Sequence, residues 1–254
     1  MSAPSDWVFL RGLGREQRHW EAFPEVFAAT LGVRVQCLDL PGVGTECHRV
    51  APTSIAATVD DLRARWQPLA AAHPERTWGI FGISLGGMVA QSWPVQYPGD
   101  FKRVVLVNTS AASHALPWER MSLSVARQAL AAARSRSEAD RQKRILKFTT
   151  RFVGDLDGVA ARWAEYAAER PLKPGNFLRQ LGAAMRFRAP AAIAAPTLVM
   201  VSEGDALAHP NNGRRLAAHY RAALAVHPSA GHDLPVDAPE WVCQTVSQWM
   251  ASPG

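Results

Sequence analysis

The sequence has few cysteines and no long hydrophobic run. Its 254 residues include three cysteines, Cys37, Cys47 and Cys243, whose number is odd and whose spacing is wide. They therefore form neither a disulfide framework nor a CxxC metal or redox pair. No apolar run approaches the roughly 18–20 residues that cross a bilayer, and residues 1–6 lack the basic and apolar regions of a secretory signal. We therefore expect a cytoplasmic protein without a membrane span.

Motifs that bind metals or nucleotides are also lacking. The chain contains no H-E-x-x-H, no Walker-type loop and no G-x-G-x-x-G that opens a first βα unit. We therefore expect a protein that needs no metal and no organic cofactor.

The positive charge is confined to the middle of the chain. The formal net charge is +6, and residues 115–190 contain 15 Lys and Arg against 7 Asp and Glu, which is more than the whole excess. Both signs are mixed in this segment and it has no long basic block. Such a pattern is typical of solvated helix faces, so we expect no nucleic-acid partner.

Short apolar runs alternate with helical patterns along most of the chain. The apolar runs predict buried strands at residues 7–10, 33–40, 77–83, 103–108, 197–201 and 224–227. The helical patterns lie at about residues 17–31, 54–72, 85–96, 211–219 and 239–250. This alternation predicts an α/β fold with a doubly wound, mostly parallel sheet and right-handed crossovers.

The alternation stops between about residues 110 and 195, where only helical patterns occur. Leu178, Leu181 and Met185 fall at i, i+3 and i+7 and predict one apolar stripe on their helix. The segment leaves after one strand and returns before another. We therefore expect a helical cap at residues 111–194, inserted into a core formed by residues 1–110 and 195–254. A plain helical excursion packed on the sheet is the alternative.

The strongest chemical signal is the segment Gly82-Ile83-Ser84-Leu85-Gly86-Gly87. It matches G-x-S-x-G between a predicted strand and a predicted helix, the context that makes this motif specific. A turn this tight forces the serine into a strained backbone conformation, and the glycines on either side remove side chains that would clash. Ser84 is therefore the candidate nucleophile.

A serine nucleophile needs a base, and the base needs an orienting acid. His232 follows the last predicted strand, which places it at the same sheet edge as Ser84; His209 is the second choice. Asp205 follows the strand at residues 197–201 and is the candidate acid by chain order and strand placement. The carboxylates that rival Asp205 are Glu203, Asp233 and Asp237.

The chain order nucleophile, acid and base, each after a separate strand, resembles the α/β-hydrolase superfamily, in the branch with a helical cap. The segment Asp39-Leu40-Pro41-Gly42-Val43-Gly44 is similar to the D-x-x-G-x-G loop of that superfamily. Gly231-His232, followed by Asp237-Ala238-Pro239, adds to the resemblance. It covers essentially the whole chain and implies the α/β-hydrolase fold.

The resemblance also implies an oxyanion hole made by two backbone N–H groups. Leu85, which follows the nucleophile, supplies one donor, and Leu13 is the expected second donor. The superfamily usually has a His-Gly pair before the second donor, whereas this chain has Arg11-Gly12. Arg11 is expected to be a surface or structural residue, and contact with an anionic substrate group is the alternative.

These residues predict a serine hydrolase, with a carboxylesterase acting on a small-molecule ester as the first choice. Acyl transfer, lactone hydrolysis and carbon–carbon bond hydrolysis use similar triads and stay open. A serine at the elbow argues against the dehalogenases and epoxide hydrolases of the superfamily, which resemble this chain but use aspartate there. A ligand-binding module without catalysis is the alternative of a different class. The oligomeric state stays open.

Overall fold

Six parallel strands form the centre of the protein. The computed structural model describes residues 3–115, 117–120 and 123–252. Along the sheet the described strands run in the order β2-β1-β3-β4-β5-β6, and each pairs in parallel with its neighbours. They are β1 (Asp6–Leu10), β2 (Arg34–Cys37), β3 (Trp78–Ile83), β4 (Arg103–Val107), β5 (Thr197–Ser202) and β6 (Ala223–His227). The predicted parallel, doubly wound sheet is confirmed.

Helices connect the strands, and five of the described helices lie between β4 and β5. Around the sheet run α1 (Phe23–Leu31), α2 (Ile55–Ala71), α3 (Leu85–Gln96), α9 (Asn211–Tyr220), α10 (Leu234–Asp237) and α11 (Pro239–Ala251). Between β4 and β5 lie α4 (Pro117–Arg120), α5 (Leu123–Ala133), α6 (Glu138–Thr149), α7 (Leu156–Glu169) and α8 (Pro174–Arg186). Within the described ranges, no helix has the length and apolar character needed to cross a membrane.

Alternate residues of the strands supply two separate cores, one on each face of the sheet. In β1, Trp7 and Phe9 face α1 and α11, while Val8 and Leu10 face α2, α3 and α9. This follows from the two-residue period of a strand, which sends successive side chains to opposite faces. Because both faces are covered, the central strands β1, β3, β4 and β5 are buried almost throughout.

The two outer strands are more exposed than expected. β2 spans Arg34–Cys37, shorter than the predicted residues 33–40, and alternates between exposed and half-buried residues. β6, at the other edge, is mostly exposed, with Leu224 at 43% of its accessible surface. The prediction that these runs are buried was wrong because an edge strand has a neighbour on one side only, so its apolar residues are not all enclosed.

The first predicted helix is interrupted. Instead of one helix over residues 17–31, a short 3-10 helix (Gln17–Trp20) is followed by α1. Glu21, between the two, has a positive φ of 51°, which no helix accommodates. Pro94 lies in the last turn of α3. The helix nonetheless continues to Gln96.

The inserted helices have a small apolar cluster of their own. Leu146 of α6 packs there with Val159, Ala160 and Trp163 of α7. Helix α8 differs, because its buried side includes Asn176 and Gln180.

The predicted apolar stripe of α8 was therefore placed on the wrong side. Leu178 is 65% exposed and Met185 is 42% exposed. The helix turns its amide side chains inward because the loops it contacts present backbone carbonyl and N–H groups, which require hydrogen-bonding partners once they are buried.

The cluster of aromatic rings on the α1 face yields a stability prediction. Phe9 is fully buried, and its ring centroid lies 4.8–5.4 Å from the centroids of four other rings, Trp20, Phe23, Phe27 and Phe81. We expect Phe9→Ala to lower the free energy of unfolding by about 3–5 kcal/mol. The matched control is Phe152→Ala, because Phe152 is 52% exposed and its loss should cost under about 0.5 kcal/mol. Equal losses in urea unfolding would contradict this account of the core.

Candidate active site

Ser84 lies in the tight turn between β3 and α3. Its backbone has φ 55° and ψ −116°, a conformation that strains a residue with a side chain. A Cβ at Gly82 would overlap the carbonyl group of Gly86, and a Cβ at Gly86 would overlap the carbonyl oxygen of Leu10. The two glycines therefore allow α3 to start against β1 and β3, with Ser84 at the carboxyl edge of the sheet.

The loop after β1 runs beside Ser84. A Cβ placed on Gly12 would lie 3.2 Å from Ser84 Cβ and 3.7 Å from Ser84 Oγ. Leu13 follows Gly12 in this loop, and Leu85 is the first residue of α3, where an N–H has no partner within the helix. Among the described residues, neither the Leu13 nor the Leu85 N–H donates a hydrogen bond to another residue. Both expected oxyanion donors thus come from segments that border Ser84.

His232 and Asp205 are in direct contact. His232 Nδ1 lies 2.8 Å from Asp205 Oδ2, and both residues are buried. Because a carboxylate only accepts, Nδ1 carries the proton and donates it. The other oxygen of Asp205 accepts the N–H groups of Leu207 and Ala208, each at 2.8 Å. These bonds fix the carboxylate just beyond β5, facing the imidazole.

The pKa of His232 is raised above its ordinary value of 6.5. Burial disfavours the charged imidazolium and lowers the pKa, but the charge and the hydrogen bond of Asp205, together with the charge of Asp233, outweigh it. The site therefore favours the imidazolium that forms when a histidine accepts a proton.

Two residues after β4 connect the serine turn to the histidine loop. Thr109 Oγ1 donates to the carbonyl oxygen of Ser84 at 2.7 Å. Asn108 Nδ2 donates to the carbonyl oxygen of His232 at 2.8 Å and to Ser202 Oγ at 3.0 Å. Asn108 has a φ of 42°, which asparagine tolerates better than most residues. Sequence reasoning missed this pair, although two polar residues at the end of a buried strand were a usable signal.

No hydrogen bond joins Ser84 Oγ to His232 within the described part of the chain. The structure therefore brings Asp205 and His232 together directly and holds Ser84 near them through the Asn108–Thr109 segment. In enzymes, the bond between nucleophile and base is often long before substrate binds and tightens in the complex.

The rival acids and base have other partners. Glu203 pairs with Arg214, Asp233 pairs with Arg11, and His209 Nδ1 accepts the N–H of Asn211 at 3.2 Å.

The Asp237 carboxylate binds backbone N–H groups rather than a side chain. Its carboxylate accepts the N–H groups of Gly231, Arg151 and Phe152, and so joins the histidine loop to the segment after α6. Asp205 is thus the carboxylate that contacts the imidazole of His232. In the described ranges no cluster of three or more His, Cys, Asp or Glu side chains could hold a metal ion.

Arg11 forms a buried ion pair with Asp233, the residue after His232. Its two terminal nitrogens donate to the two carboxylate oxygens at 2.8 and 2.6 Å, a bidentate arrangement. The guanidinium also lies 4.6 Å from the centroid of the Trp20 ring. The sequence left open a structural role for Arg11 and contact with an anionic substrate group. The ion pair gives Arg11 a structural role, because it joins the loop after β1 to the loop that carries His232.

A family model matches most of the chain. The model is described as serine aminopeptidase, S33, and it matches residues 8–239.

Curated relatives match a smaller part. Alignments of 105 to 107 residues cover 41% of this chain but only 17, 37 and 35% of three relatives, so the chain aligns with less than two-fifths of their length. One of them, from Chromobacterium violaceum, is a pimeloyl-[acyl-carrier protein] methyl ester esterase that is 37% identical over 107 residues, which are 37% of its length.

Solved structures match almost the whole chain at low identity. A thermophilic esterase from Thermogutta terrifontis is 21% identical, with a TM-score of 0.69 over 96% of this chain and 89% of that one. The enol-lactonase from Burkholderia xenovorans LB400 is 20% identical, with a TM-score of 0.73 over 99% of this chain and 93% of that one. These likenesses concern the fold.

The burial of the Arg11–Asp233 pair generates a second stability prediction. Arg11→Met leaves the Asp233 carboxylate buried without its cation, which should cost about 3–5 kcal/mol of unfolding free energy. The double variant Arg11→Met/Asp233→Leu should recover much of that loss, because no charge is then left unpaired. Chemical denaturation of both variants measures the difference.

The control for this prediction is Arg34→Met. Arg34 also forms a bidentate pair, with Asp6, but its side chain is 58% exposed, and the buried Asp6 carboxylate keeps Arg76 as a second cation at 3.5 Å. Its loss should cost no more than about 1 kcal/mol. If Arg11→Met is no more damaging than Arg34→Met, burial is not what makes the first pair important.

Proposed function

The chain belongs to the family described as serine aminopeptidase, S33, within the α/β-hydrolase superfamily, and on that premise we propose that it is a serine hydrolase that cleaves carboxylic esters. The observation that carries the proposal is the hydrogen bond of 2.8 Å between His232 Nδ1 and Asp205 Oδ2, formed at the sheet edge where Ser84 occupies its strained turn. A nucleophile, a base and an orienting acid are the groups that acyl transfer requires.

In the proposed reaction Ser84 Oγ attacks the carbonyl carbon of the ester while His232 Nε2 takes the hydroxyl proton. Asp205 holds the imidazole with Nε2 free to accept that proton and stabilises the imidazolium that results. The N–H groups of Leu13 and Leu85 stabilise the negative oxygen of the tetrahedral intermediate, each contributing on the order of 3 kcal/mol.

The intermediate then breaks the bond to the leaving alcohol, which takes its proton from His232. The acyl group stays on Ser84 as an ester. A water molecule attacks this acyl-enzyme with His232 again acting as base, which releases the acid and restores Ser84. The raised pKa of His232 suits this role, because the imidazole must hold the proton taken from the nucleophile until it is given to the leaving group.

Esters are the proposed substrates because an ester demands little beyond the triad and the two donors. The methyl ester esterase from Chromobacterium violaceum supports this class over the segment that it shares with the chain. Acyl transfer, lactone hydrolysis and carbon–carbon bond hydrolysis use the same groups and remain the alternatives.

We also propose that residues 111–194 form a cap over a core made of residues 1–110 and 195–254. Two sets of contacts support this division. The α6–α7 pair meets the segment after β1, through Arg18 with Glu169 and Arg162 with Glu21. The carbonyl oxygen of Thr149, at the end of α6, accepts the N–H of Asp233 at 2.7 Å. These helices therefore border the loops that carry the proposed catalytic groups.

The proposal predicts ester hydrolysis that depends on Ser84. The purified protein should hydrolyse p-nitrophenyl esters, and Ser84→Ala should lower kcat by a factor on the order of 10⁴ or more without unfolding the protein. A series from acetate to palmitate, measured with both variants, would show the preferred acyl length. Full activity in the folded Ser84→Ala variant would end the assignment. An amino-acid p-nitroanilide in the same assay tests peptidase activity.

Labelling by a fluorophosphonate separates an enzyme from a binding module. Wild type should react at Ser84, and Ser84→Ala should not. A wild-type protein that neither turns over esters nor reacts with the probe would favour the ligand-binding alternative.

The acid limb of the pH profile is expected to report His232. As base the imidazole must be neutral, so kcat/KM should fall as pH drops through its pKa, which lies above the ordinary value of 6.5. Asp205→Asn removes the charge that raises this pKa and leaves burial, so the limb should move to lower pH. At the same time kcat should fall by a factor on the order of 10³–10⁴, because the imidazole loses its orienting acid.

Glu203→Gln is the matched control for that experiment. It removes a neighbouring carboxylate that pairs with Arg214 and not with His232, so neither kcat nor the acid limb should change. A limb that moves in both variants, or in neither, would contradict the role of Asp205.

A further inference from the structure

The buried side of α8 carries two amide side chains one helical turn apart. Asn176 is 4% exposed and Gln180 is 5% exposed. Both bind backbone groups of the core in the segment at residues 41–51, but only Gln180 also reaches the loop after β1. Asn176 accepts the N–H of Ala51 at 2.9 Å and donates to the carbonyl oxygens of Arg49 at 2.9 Å and Gly42 at 3.3 Å. None of these partners lies in the loop after β1, so Asn176 fastens the helix without a hydrogen bond to the segment that carries Leu13.

Gln180 reaches the loop that carries Leu13. Its Oε1 accepts the N–H of Gly14 at 3.2 Å, and its Nε2 donates to the carbonyl oxygen of Pro41 at 3.1 Å. Both ends of the amide are therefore used, which fixes its orientation between two loops of the core. Gly14 has a φ of 66°, a backbone conformation that glycine adopts readily.

The hydrogen bonds around Leu13 determine which N–H of this loop stays free. The carbonyl oxygen of Gly12 accepts the N–H of Arg15 at 3.2 Å. In a trans peptide the C=O and N–H groups point in opposite directions, so the N–H of Leu13 points away from that bond. The following N–H, on Gly14, is taken by Gln180. The Leu13 N–H is thus left as the open donor next to Gly12, the residue that borders Ser84.

We propose that Gln180 is a positioning residue for the oxyanion hole, acting through Gly14 to hold the Leu13 N–H in place. This inference rests on the proposed serine hydrolase function. It makes an inserted helix part of the catalytic geometry: α8 sets the donor on one side of the oxyanion, while the start of α3 sets the other.

The contact between α8 and the core leaves a small space beside Gln180. A cavity of about 10 Å³ lies between α8 and the core, and Leu85, Gln180 and Ala183 contribute to its wall. That is about the smallest volume that holds one water molecule. Leu172 and Phe177 also border Gly14, so the two hydrogen bonds of Gln180 fix the loop together with this packing.

The experiment compares Gln180→Met with Asn176→Leu in the full-length protein. Each replacement removes a buried amide from the same helix face and keeps a side chain of similar size. With a p-nitrophenyl ester of preferred length, Gln180→Met should lower kcat about 10- to 100-fold, the effect of a donor displaced by up to about 1 Å. KM should change less than about threefold, because the donor acts on the transition state. Asn176→Leu should keep kcat within about twofold of wild type.

A trifluoromethyl ketone supplies the second measurement. It adds to the serine hydroxyl and forms a tetrahedral oxyanion, so its inhibition constant should rise for Gln180→Met by the same factor by which kcat/KM falls. Asn176→Leu should leave the constant unchanged. Thermal unfolding of both variants shows whether they are destabilised to a similar extent, which is expected from the loss of a buried amide in each.

The outcomes separate the inference from the function on which it rests. If wild type is active and Gln180→Met keeps its kcat, or if Asn176→Leu loses as much as Gln180→Met, the positioning role is wrong while the hydrolase stands. If wild type shows neither turnover nor labelling at Ser84, the hydrolase and the positioning role fall together.

Discussion

The rest of the site depends on one backbone constraint, the positive φ of Ser84 between a buried strand and a buried helix. A residue with a side chain adopts this conformation only where the surroundings enforce it. Here β3 and α3 are both enclosed, and α3 begins so close to β1 that Gly86 has no room for a Cβ beside the carbonyl oxygen of Leu10. The close approach brings the first N–H groups of α3 next to the loop after β1. The positions of Ser84, the start of α3 and the loop after β1 therefore all follow from this close approach.

Side chains other than those of Ser84, Asp205 and His232 then join the loops at this sheet edge. Asn108 and Thr109 bind the backbone of His232 and Ser84, and Arg11 pairs with Asp233. Each of these groups is buried, so each bond forms where water does not compete for it. The residue found in place of the usual histidine of the superfamily thus has a clear structural role, because the Arg11 guanidinium reaches across to the loop that carries His232.

The sequence predicts most of the central sheet and the order of the site residues, but not how the outer elements pack. Alternation of apolar runs and helical patterns was sufficient for β1, β3, β4 and β5, whose two faces are both covered. It failed for β2 and β6 as buried strands, since a run of residues does not reveal which strand lies at an edge.

The sequence pattern also failed for α8, where periodicity pointed to Leu178 and Met185 while Asn176 and Gln180 face the core. Alongside the contacts of Ala183 and Ala184 with the core, this helix binds backbone groups, and the periodicity of apolar residues carries no information about free carbonyl groups. The contacts of Asn108 and Arg11 involve residues about 90 to 220 positions away, which spacing alone does not connect.

The inserted helices are fastened to the core by two kinds of bond. Helix α7 uses charges near the surface, including Arg162 with Glu21 and Glu169 with Arg18, whereas α8 uses buried amides on backbone groups. Dissolved ions weaken the exposed ion pairs, because they screen charges at the surface with a screening length of about 8 Å at physiological ionic strength. They have little effect on the buried amide hydrogen bonds. Ionic strength therefore acts unequally on the two sides of the insertion: added salt loosens the α7 side while α8 keeps its hold on the loop beside Ser84.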